Sequence, residues 1–145
     1  MNHKPLGDSE RTLRYWINRY MQFKPMLVER NGKRKLQEGE QVNNALLALH
    51  LKGRGISKVD REVRLKNRSR ADSFINGQII IECKQHLLSV KMMNEVSSQI
   101  RRIKRLNSYK AYALIYGDAK RELLKELENE IGEGNAIVLG EVIGY

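Results

Sequence analysis

The stretch of sequence that decides the fold covers residues 70–84 and is Arg-Ala-Asp-Ser-Phe-Ile-Asn-Gly-Gln-Ile-Ile-Ile-Glu-Cys-Lys. Two apolar runs flank an Asn-Gly pair, which predicts antiparallel strands over residues 69–75 and 78–84 joined by a tight turn. Asp72 and Glu82 stand at the ends of these strands away from the turn. Folding alone does not require charged groups there, so the pattern indicates a functional site.

Strand parity narrows the geometry of the turn, because side chains alternate between the two faces of a strand. A two-residue turn would place Asp72 opposite Ile81, on the face away from Glu82. A three-residue loop that ends at Gly77 places Asp72 opposite Ile80 instead, diagonal to Glu82 and roughly 7 Å from it at Cβ. Such a loop needs a left-handed residue, so we predict a positive φ at Gly77 and two carboxylates on one face.

Two converging carboxylates are typical of a Mg²⁺ site, because Mg²⁺ takes one or two protein carboxylates and completes its octahedron with water and phosphate oxygens. The predicted ligands are the carboxylates of Asp72 and Glu82 and the backbone carbonyl of Cys83, and Mn²⁺ is expected to substitute. Lys84 follows on the same face, where its ammonium would orient water and stabilise charge on a phosphate. A surface salt bridge at the strand ends is the alternative explanation for these charges.

Hydrophobic periodicity in the flanking sequence predicts three helices and three further strands. The helices cover residues 40–52, 90–106 and 119–130. The strands cover residues 59–65, 110–116 and 136–139. The predicted inner face of the first helix consists of Val42, Ala45, Leu46, Leu49 and His50. This order predicts an α/β fold, in which an antiparallel start to the sheet is followed by a helical crossover to a later strand.

A separate N-terminal part precedes this domain. Residues 8–23 are predicted to form a helix, and residues 30–35 a polar turn and linker. We therefore predict a basic helical extension over residues 1–38 and the α/β domain over residues 39–145. The apolar stripe of the extension is Leu13, Trp16, Ile17 and Tyr20. It favours packing against the domain or a partner subunit, with stacking on unpaired bases as the alternative.

The distribution of charge indicates a polyanionic partner. The chain of 145 residues has a net charge of +10; residues 39–110 hold 15 basic against 6 acidic residues, whereas residues 111–145 hold 3 against 7. A charge that served solubility would be spread evenly, so its concentration around the hairpin favours nucleic acid over a merely solvated surface. The predicted phosphate-binding residues are Arg54, Lys58, Arg64, Lys66, Arg68, Arg70, Arg101, Arg102 and Arg105.

Composition excludes several other classes of protein. An apolar content of 41% is too high for a disordered chain, and no apolar run approaches the roughly 20 residues of a membrane helix. The single cysteine excludes an internal disulfide and fits a reducing compartment. We expect a cytoplasmic protein with no signal peptide and no membrane partner.

The pattern of Asp72 followed by Glu82-Cys-Lys84 resembles the motif of the PD-(D/E)xK nuclease superfamily. The similarity covers residues 40–116 and the order α-β-β-β-α-β, with Ala71 where the family usually has proline. It implies a restriction-endonuclease-like core. It also implies a Mg²⁺-dependent DNA endonuclease in which Asp72 and Glu82 hold the metal, Lys84 assists the attacking water, and the cut strand carries a 5′-phosphate.

The same resemblance implies further site residues. Gln99 matches a catalytic-site glutamine that some members carry on the helix after the motif, and its spacing places it beside the sheet-facing stripe. Many members have a glutamate on the helix before the first strand, for which Glu40 is the candidate and Glu38 a competitor. Glu62, on the first strand, is a second candidate for an extra metal ligand.

Within the superfamily, the sequence is most similar to the archaeal Holliday-junction resolvases, which share Gln-Ile-x-Arg at residues 99–102 and an apolar strand like that at residues 111–116. This implies a homodimer that makes two symmetric cuts in branched DNA. Two alternatives remain open. One is a restriction- or repair-type nuclease acting on ends, flaps or specific sequences. The other is a basic nucleic-acid-binding module without catalysis, which carboxylates pointing apart would favour.

Overall fold

The computed structural model describes residues 27–36, 39–53, 58–64, 70–75, 77, 79–106 and 110–144. The elements in chain order are β1 (Leu27–Arg30), β2 (Lys33–Leu36), α1 (Glu40–Gly53), β3 (Val59–Arg64), β4 (Arg70–Ile75), β5 (Ile79–Lys84), α2 (Val90–Leu106), β6 (Lys110–Ile115), β7 (Ala119–Lys120), α3 (Arg121–Ile131), β8 (Ala136–Val138) and β9 (Val142–Ile143). The helices and strands predicted for residues 39–145 are confirmed to within about two residues at each end, whereas the short β7 and β9 were not predicted. Within the described ranges, no helix has both the length and the apolar character needed to cross a membrane.

The first hairpin corrects the prediction of a linker over residues 30–35. β1 and β2 pair from Leu27 with Leu36 to Arg30 with Lys33. The turn between them, Asn31-Gly32, has φ values of 54° and 75°, the left-handed pair that a two-residue type I′ turn requires. Asn-Gly between two strands is a hairpin signal, and the high charge of its neighbours concealed it. The predicted helix over residues 8–23 lies outside the described residues.

A five-stranded mixed sheet forms the centre of this α/β fold, in the order β3-β4-β5-β6-β8. β3, β4 and β5 make an antiparallel meander, and β5, β6 and β8 run parallel. α2 connects β5 to β6, and α3 lies between β6 and β8 in the chain, because parallel neighbours need a crossover. The predicted antiparallel start and helical crossover are confirmed. β7 and β9 pair in a separate two-stranded parallel sheet.

Helices cover both faces of the five-stranded sheet, which makes three layers. On one face, Leu47 of α1 belongs to a buried cluster with Ile79 and Ile81 of β5. On the other face, Val96 of α2 belongs to a cluster with Ile80 and with apolar residues of α3. β5 is therefore buried on both sides, which explains its continuous apolar run. Its even-numbered residues face α2 and α3, and its odd-numbered residues face α1.

The face that α1 turns towards the sheet is not the predicted one. Val42 and Leu49 are 44% and 67% exposed. The buried residues of the helix are Asn43, Asn44, Leu47, Ala48 and Leu51. The hydroxyl of Tyr116 donates a hydrogen bond to Oδ1 of Asn44 at 2.5 Å, which satisfies a buried amide on this face. A hydrophobicity pattern counts two adjacent asparagines as an outer face, so the prediction was wrong by about half a turn.

Candidate metal and phosphate site

Asp72 and Glu82 each lie one residue beyond Ser73 and Ile81, the last residues at which β4 and β5 pair with each other. The structure pairs Phe74 with Ile80, and two residues further along each strand this register brings Asp72 opposite Glu82. The prediction had Asp72 opposite Ile80, because it counted the three loop residues as 75–77 rather than 76–78. A shift of two residues preserves the parity on which the prediction of a common face for the two carboxylates depends.

The loop between these strands has the backbone that the parity argument required. Gly77 has a φ of 70°, so the predicted positive value is confirmed. This left-handed conformation is one that glycine adopts without strain and other residues rarely adopt. Three residues separate the paired Ile75 and Ile79, which excludes the two-residue turn.

Side-chain hydrogen bonds hold β4 and β5 together at the two carboxylates. The backbone N–H of Cys83 donates to Oδ2 of Asp72 at 2.9 Å, and the N–H of Asp72 donates to Oε1 of Glu82 at 3.3 Å. Each carboxylate therefore accepts a hydrogen bond from the opposite strand. Glu82 is buried and Asp72 is half-buried. Drawing two acidic side chains together in a partly buried place costs free energy unless a cation compensates them.

The backbone carbonyl of Cys83 is directed towards the same place. The Lys84 carbonyl accepts the N–H of Tyr116 at 2.9 Å, on the β6 side of the strand. Successive carbonyls along a strand point in opposite directions, so the Cys83 carbonyl is directed towards the β4 side, where Asp72 lies. The thiol of Cys83 is buried on the α1 face, where the Tyr116 hydroxyl lies 3.4 Å from Sγ. The side chain therefore belongs to the core, as predicted.

The side chain of Lys84 lies on the same face as Glu82 and contacts α2. Its Nζ is 2.7 Å from Oε2 of Glu95, and the two side chains are 30% and 46% exposed. The hydrogen bond from Lys84, and then its positive charge, lower the pKa of Glu95. Glu95 therefore remains ionised under ordinary conditions, and it orients the lysine along the face that carries the carboxylates.

Glu95 is a site residue that the sequence reasoning missed. A signal for it exists in the sequence, because Glu95 is the single acidic residue in the 17 residues of α2, which also hold five Lys and Arg. A lone acid on a basic helix indicates a specific cationic partner, and that partner is Lys84.

Gln99 lies one helical turn beyond Glu95 on the same side of α2. As the crossover between parallel strands, α2 runs opposite to β5. Four residues of a helix span about 6 Å along its axis, and two residues of a strand span about 6.6 Å. Because Glu95 on α2 contacts Lys84 on β5, Gln99 lies level with Glu82 along the strand. Gln99 is half-buried beside the buried Ile100, so its predicted place at the border of the stripe is confirmed.

The two candidates for an extra acidic metal ligand, Glu62 and Glu40, differ in how far the structure describes them. Glu62 lies on β3 across from Asp72, but it is exposed and has a φ of 52°, which breaks the regular alternation of the strand. Across the described ranges, no group of three or more His, Cys, Asp or Glu side chains is arranged to hold a metal ion. Glu40 begins α1, and its side chain lies outside the described residues. The described acidic donors are therefore Asp72 and Glu82, a number sufficient for Mg²⁺.

The predicted phosphate-binding residues are only partly described. Lys58, Arg64 and Arg102 are exposed, as that role requires. Arg101 is also exposed, but its guanidinium lies 3.6 Å from Oε2 of Glu130 on α3, which offsets its charge. The positions or side chains outside the described residues are those of Arg54, Lys66, Arg68, Arg70 and Arg105.

His86 has a structural role in the loop after β5. Its Nδ1 accepts the backbone N–H of Asp118 at 3.0 Å, and Oδ1 of Asp118 accepts the N–H of Glu141 at 2.8 Å. A Cβ at Gly117 would overlap the His86 ring, so glycine is required there.

No family model, curated protein or solved structure matches this chain. The functional conclusion therefore depends on the geometry of the site and on the motif in the sequence.

Proposed function

We propose that this protein is a cytoplasmic, metal-dependent DNA endonuclease of the PD-(D/E)xK type. The observation that carries the proposal is the facing pair Asp72 and Glu82, in which each carboxylate accepts a hydrogen bond from the opposite strand. Lys84 lies on the same face, two residues beyond Glu82. An arrangement of two acids and one ammonium beside a basic helix suits a phosphodiester and a divalent cation together.

The chain's own residues have distinct tasks in this mechanism. Asp72, Glu82 and the Cys83 carbonyl would hold the cation, which when bound polarises the scissile phosphate and makes water easier to deprotonate. Lys84 donates to a phosphate oxygen and stabilises the charge that develops there. Gln99, level with Glu82, orients the water that attacks phosphorus in line. The water loses a proton to solvent as it bonds to phosphorus, the P–O3′ bond breaks, and the leaving 3′-oxygen takes up a proton from solvent, which gives a 5′-phosphate and a 3′-hydroxyl.

The hydrogen bonds of the two carboxylates to the opposite strands support catalysis over simple DNA binding. A basic binding module needs no convergent acids, and acidic side chains near phosphates repel the ligand unless a cation intervenes. The hydrogen bonds tie the Glu82 carboxylate to the backbone of β4 and the Asp72 carboxylate to the backbone of β5, so both acids lie between these strands. Holding two acidic side chains there costs free energy, and a site for a divalent cation explains why the fold accepts that cost.

A panel of DNA substrates tests the proposal directly. Labelled duplex, flap, single strand and four-way junction are incubated with Mg²⁺, Mn²⁺ or EDTA at stated salt. We expect cleavage with either metal and none with EDTA, with the junction cut fastest by a homodimer that places two active sites symmetrically. Cleavage of ends or flaps in preference to the junction would favour a repair-type nuclease. Binding without cleavage of any substrate would contradict the nuclease proposal.

DNA affinity is also expected to fall steeply with salt. Each neutralised phosphate contributes close to −0.9 to the slope of log K against log salt for B-DNA. Replacing the exposed Arg102 by alanine should make this slope shallower by roughly one. Lys125→Ala on the acidic helix α3 is the matched control and should leave the slope unchanged. A slope near zero in the unmodified protein would argue against a nucleic-acid substrate.

A further inference from the structure

The hairpin of β1 and β2 lies apart from the other strands. In the described part of the chain its two strands form a sheet of their own, which pairs with neither the five-stranded sheet nor β7 and β9. Among the described elements, the two strands contact each other far more than they contact any helix or other strand. The turn residues Asn31 and Gly32 are exposed. The hairpin is therefore a two-stranded ribbon whose tip lies in solvent.

The register divides the residues of this ribbon between two faces of different charge. Opposed residues of an antiparallel pair share a face, and successive residues of a strand alternate between faces. The positions on the first face are Val28, Arg30, Lys33 and Lys35. The positions on the second face are Leu27, Glu29, Arg34 and Leu36. The first face, here called the cationic face, therefore has three basic residues and no acid, whereas the second pairs its one acid with its one base.

The cationic face is unfavourable for the hairpin on its own. Arg30 and Lys33 occupy directly opposed positions beside the turn, and Lys35 follows Lys33 two residues along the same face. Like charges directly opposite each other on neighbouring strands destabilise the pairing. Solubility does not require this pattern, since alternating signs would make the ribbon equally polar without the repulsion. A polyanionic partner would offset the repulsion, so the pattern indicates one.

The dimensions of the ribbon match those of duplex DNA. Each strand has four residues and is therefore about 13 Å long, and the two strands lie about 5 Å apart. The major groove of B-DNA, about 12 Å wide, admits a two-stranded ribbon, and basic residues neutralise the phosphates that border it. The left-handed turn at Asn31-Gly32 holds the two strands together before DNA binds, which lowers the entropy cost of ordering them.

The start of α1 connects the hairpin to the end of the sheet that holds the candidate site. The hydroxyl of Tyr116 donates to Oδ1 of Asn44 at 2.5 Å and lies 3.4 Å from Sγ of Cys83, the neighbour of Glu82. The first two turns of α1 therefore lie at the same end of β5 as Glu82. β2 ends four residues before α1 begins, and four steps of extended chain span at most about 14 Å. A duplex held by the hairpin can therefore reach the candidate site.

We propose that the hairpin of β1 and β2 is a DNA-binding arm, whose cationic face binds the phosphates of the duplex that leads into the site of Asp72 and Glu82. The proposal rests on the proposed nuclease function, which makes DNA the ligand. The arm supplies affinity, whereas the acidic pair and Lys84 supply the chemistry. The two contributions can therefore be measured separately.

The test compares two double variants of the full chain, each of which lacks two lysines. The hairpin variant combines Lys33→Gln with Lys35→Gln on the cationic face. The matched control combines Lys120→Gln with Lys125→Gln, at exposed positions on β7 and α3, and has the same change of net charge. Binding of a labelled four-way junction is titrated in EDTA over a range of salt. Single-turnover cleavage of the same junction is measured with Mg²⁺ at saturating protein.

We expect the hairpin variant to bind the junction about ten-fold more weakly. The slope of log K against log salt should become shallower by roughly two, because each lysine that contacts a phosphate contributes close to one. The cleavage rate at saturation should stay normal, since Asp72, Glu82 and Lys84 are unchanged. The control variant should keep the affinity and the slope of the unmodified protein.

Two results would overturn the proposal. The first is normal affinity and salt slope in a hairpin variant that still cleaves the junction, which leaves the nuclease assignment in place. The second is an equal loss of affinity in both double variants, which assigns the effect to net charge alone. A protein that binds the junction without cleaving it, and loses affinity only in the hairpin variant, contradicts the nuclease assignment and supports the arm. If the hairpin variant loses its native far-UV circular dichroism, Arg30→Gln tests the same face against the same outcomes.

Discussion

Replacing Asp72 by asparagine, or Glu82 by glutamine, is expected to abolish cleavage while DNA binding persists. Each change removes one negative charge from the cation site with almost no change of size. The amide oxygen in Asp72→Asn can still accept the Cys83 N–H, so the strand end keeps its hydrogen bond. Charge stabilisation by a bound metal amounts to several kcal/mol, which corresponds to a loss of roughly a thousand-fold or more in rate.

The measurement is single-turnover cleavage of a labelled junction with Mg²⁺, beside an equilibrium binding titration in Ca²⁺ or EDTA. Glu126→Gln, an exposed glutamate on α3, is the matched control and should cleave at the normal rate. Retention of Mg²⁺-dependent cleavage near the normal rate by either Asp72→Asn or Glu82→Gln would remove that residue from the active site.

Replacing Lys84 by alanine is expected to lower the cleavage rate by about 100- to 1,000-fold, the usual cost of removing one donor to developing charge. Metal binding should persist, because the ammonium contacts the phosphate and water and not the cation. The rate is measured at saturating DNA, and metal affinity by calorimetric titration. Lys125→Ala on α3 is the control. Normal turnover in Lys84→Ala would show that the lysine serves only the ion pair with Glu95.

Glu95→Gln should have a smaller effect through the same lysine. Loss of the 2.7 Å contact frees the Lys84 side chain, so turnover should fall by roughly ten-fold, the worth of about 1.4 kcal/mol, with KM unchanged. In the double variant with Lys84→Ala, the Glu95 change should add nothing, because its effect passes through the lysine. Additive losses would give Glu95 a separate role.

Much of the fold could be predicted from sequence because its periodic signals are strong. The apolar run of β5 and the one-sided stripes of α2 and α3 fix the central elements to within about two residues. The prediction failed at α1, where buried Asn43 and Asn44 look polar to any hydrophobicity pattern. The hydrogen-bond partner of the buried Asn44 is Tyr116, 72 residues further along the chain, and a local window does not contain that partner.

The geometry around the candidate site residues was predicted only in part. Parity alone required Asp72 and Glu82 to share a face, and it required a left-handed Gly77; both follow from the alternation of side chains. The register was two residues out, because sequence does not say which three residues form the loop. Glu95 was missed because its partner Lys84 lies on another element, and only packing brings α2 over the end of β5.

The hydrogen bonds across Asp72 and Glu82 also have a consequence for protein engineering. Like charges held opposite each other oppose folding, so neutralising either one should raise the melting temperature of the metal-free protein. Selection for heat resistance alone would then favour variants that have lost activity. Mutagenesis for thermal stability should therefore keep positions 72 and 82 unchanged and target other positions. One such position is Glu62, which has a left-handed backbone, so glycine there would relieve backbone strain.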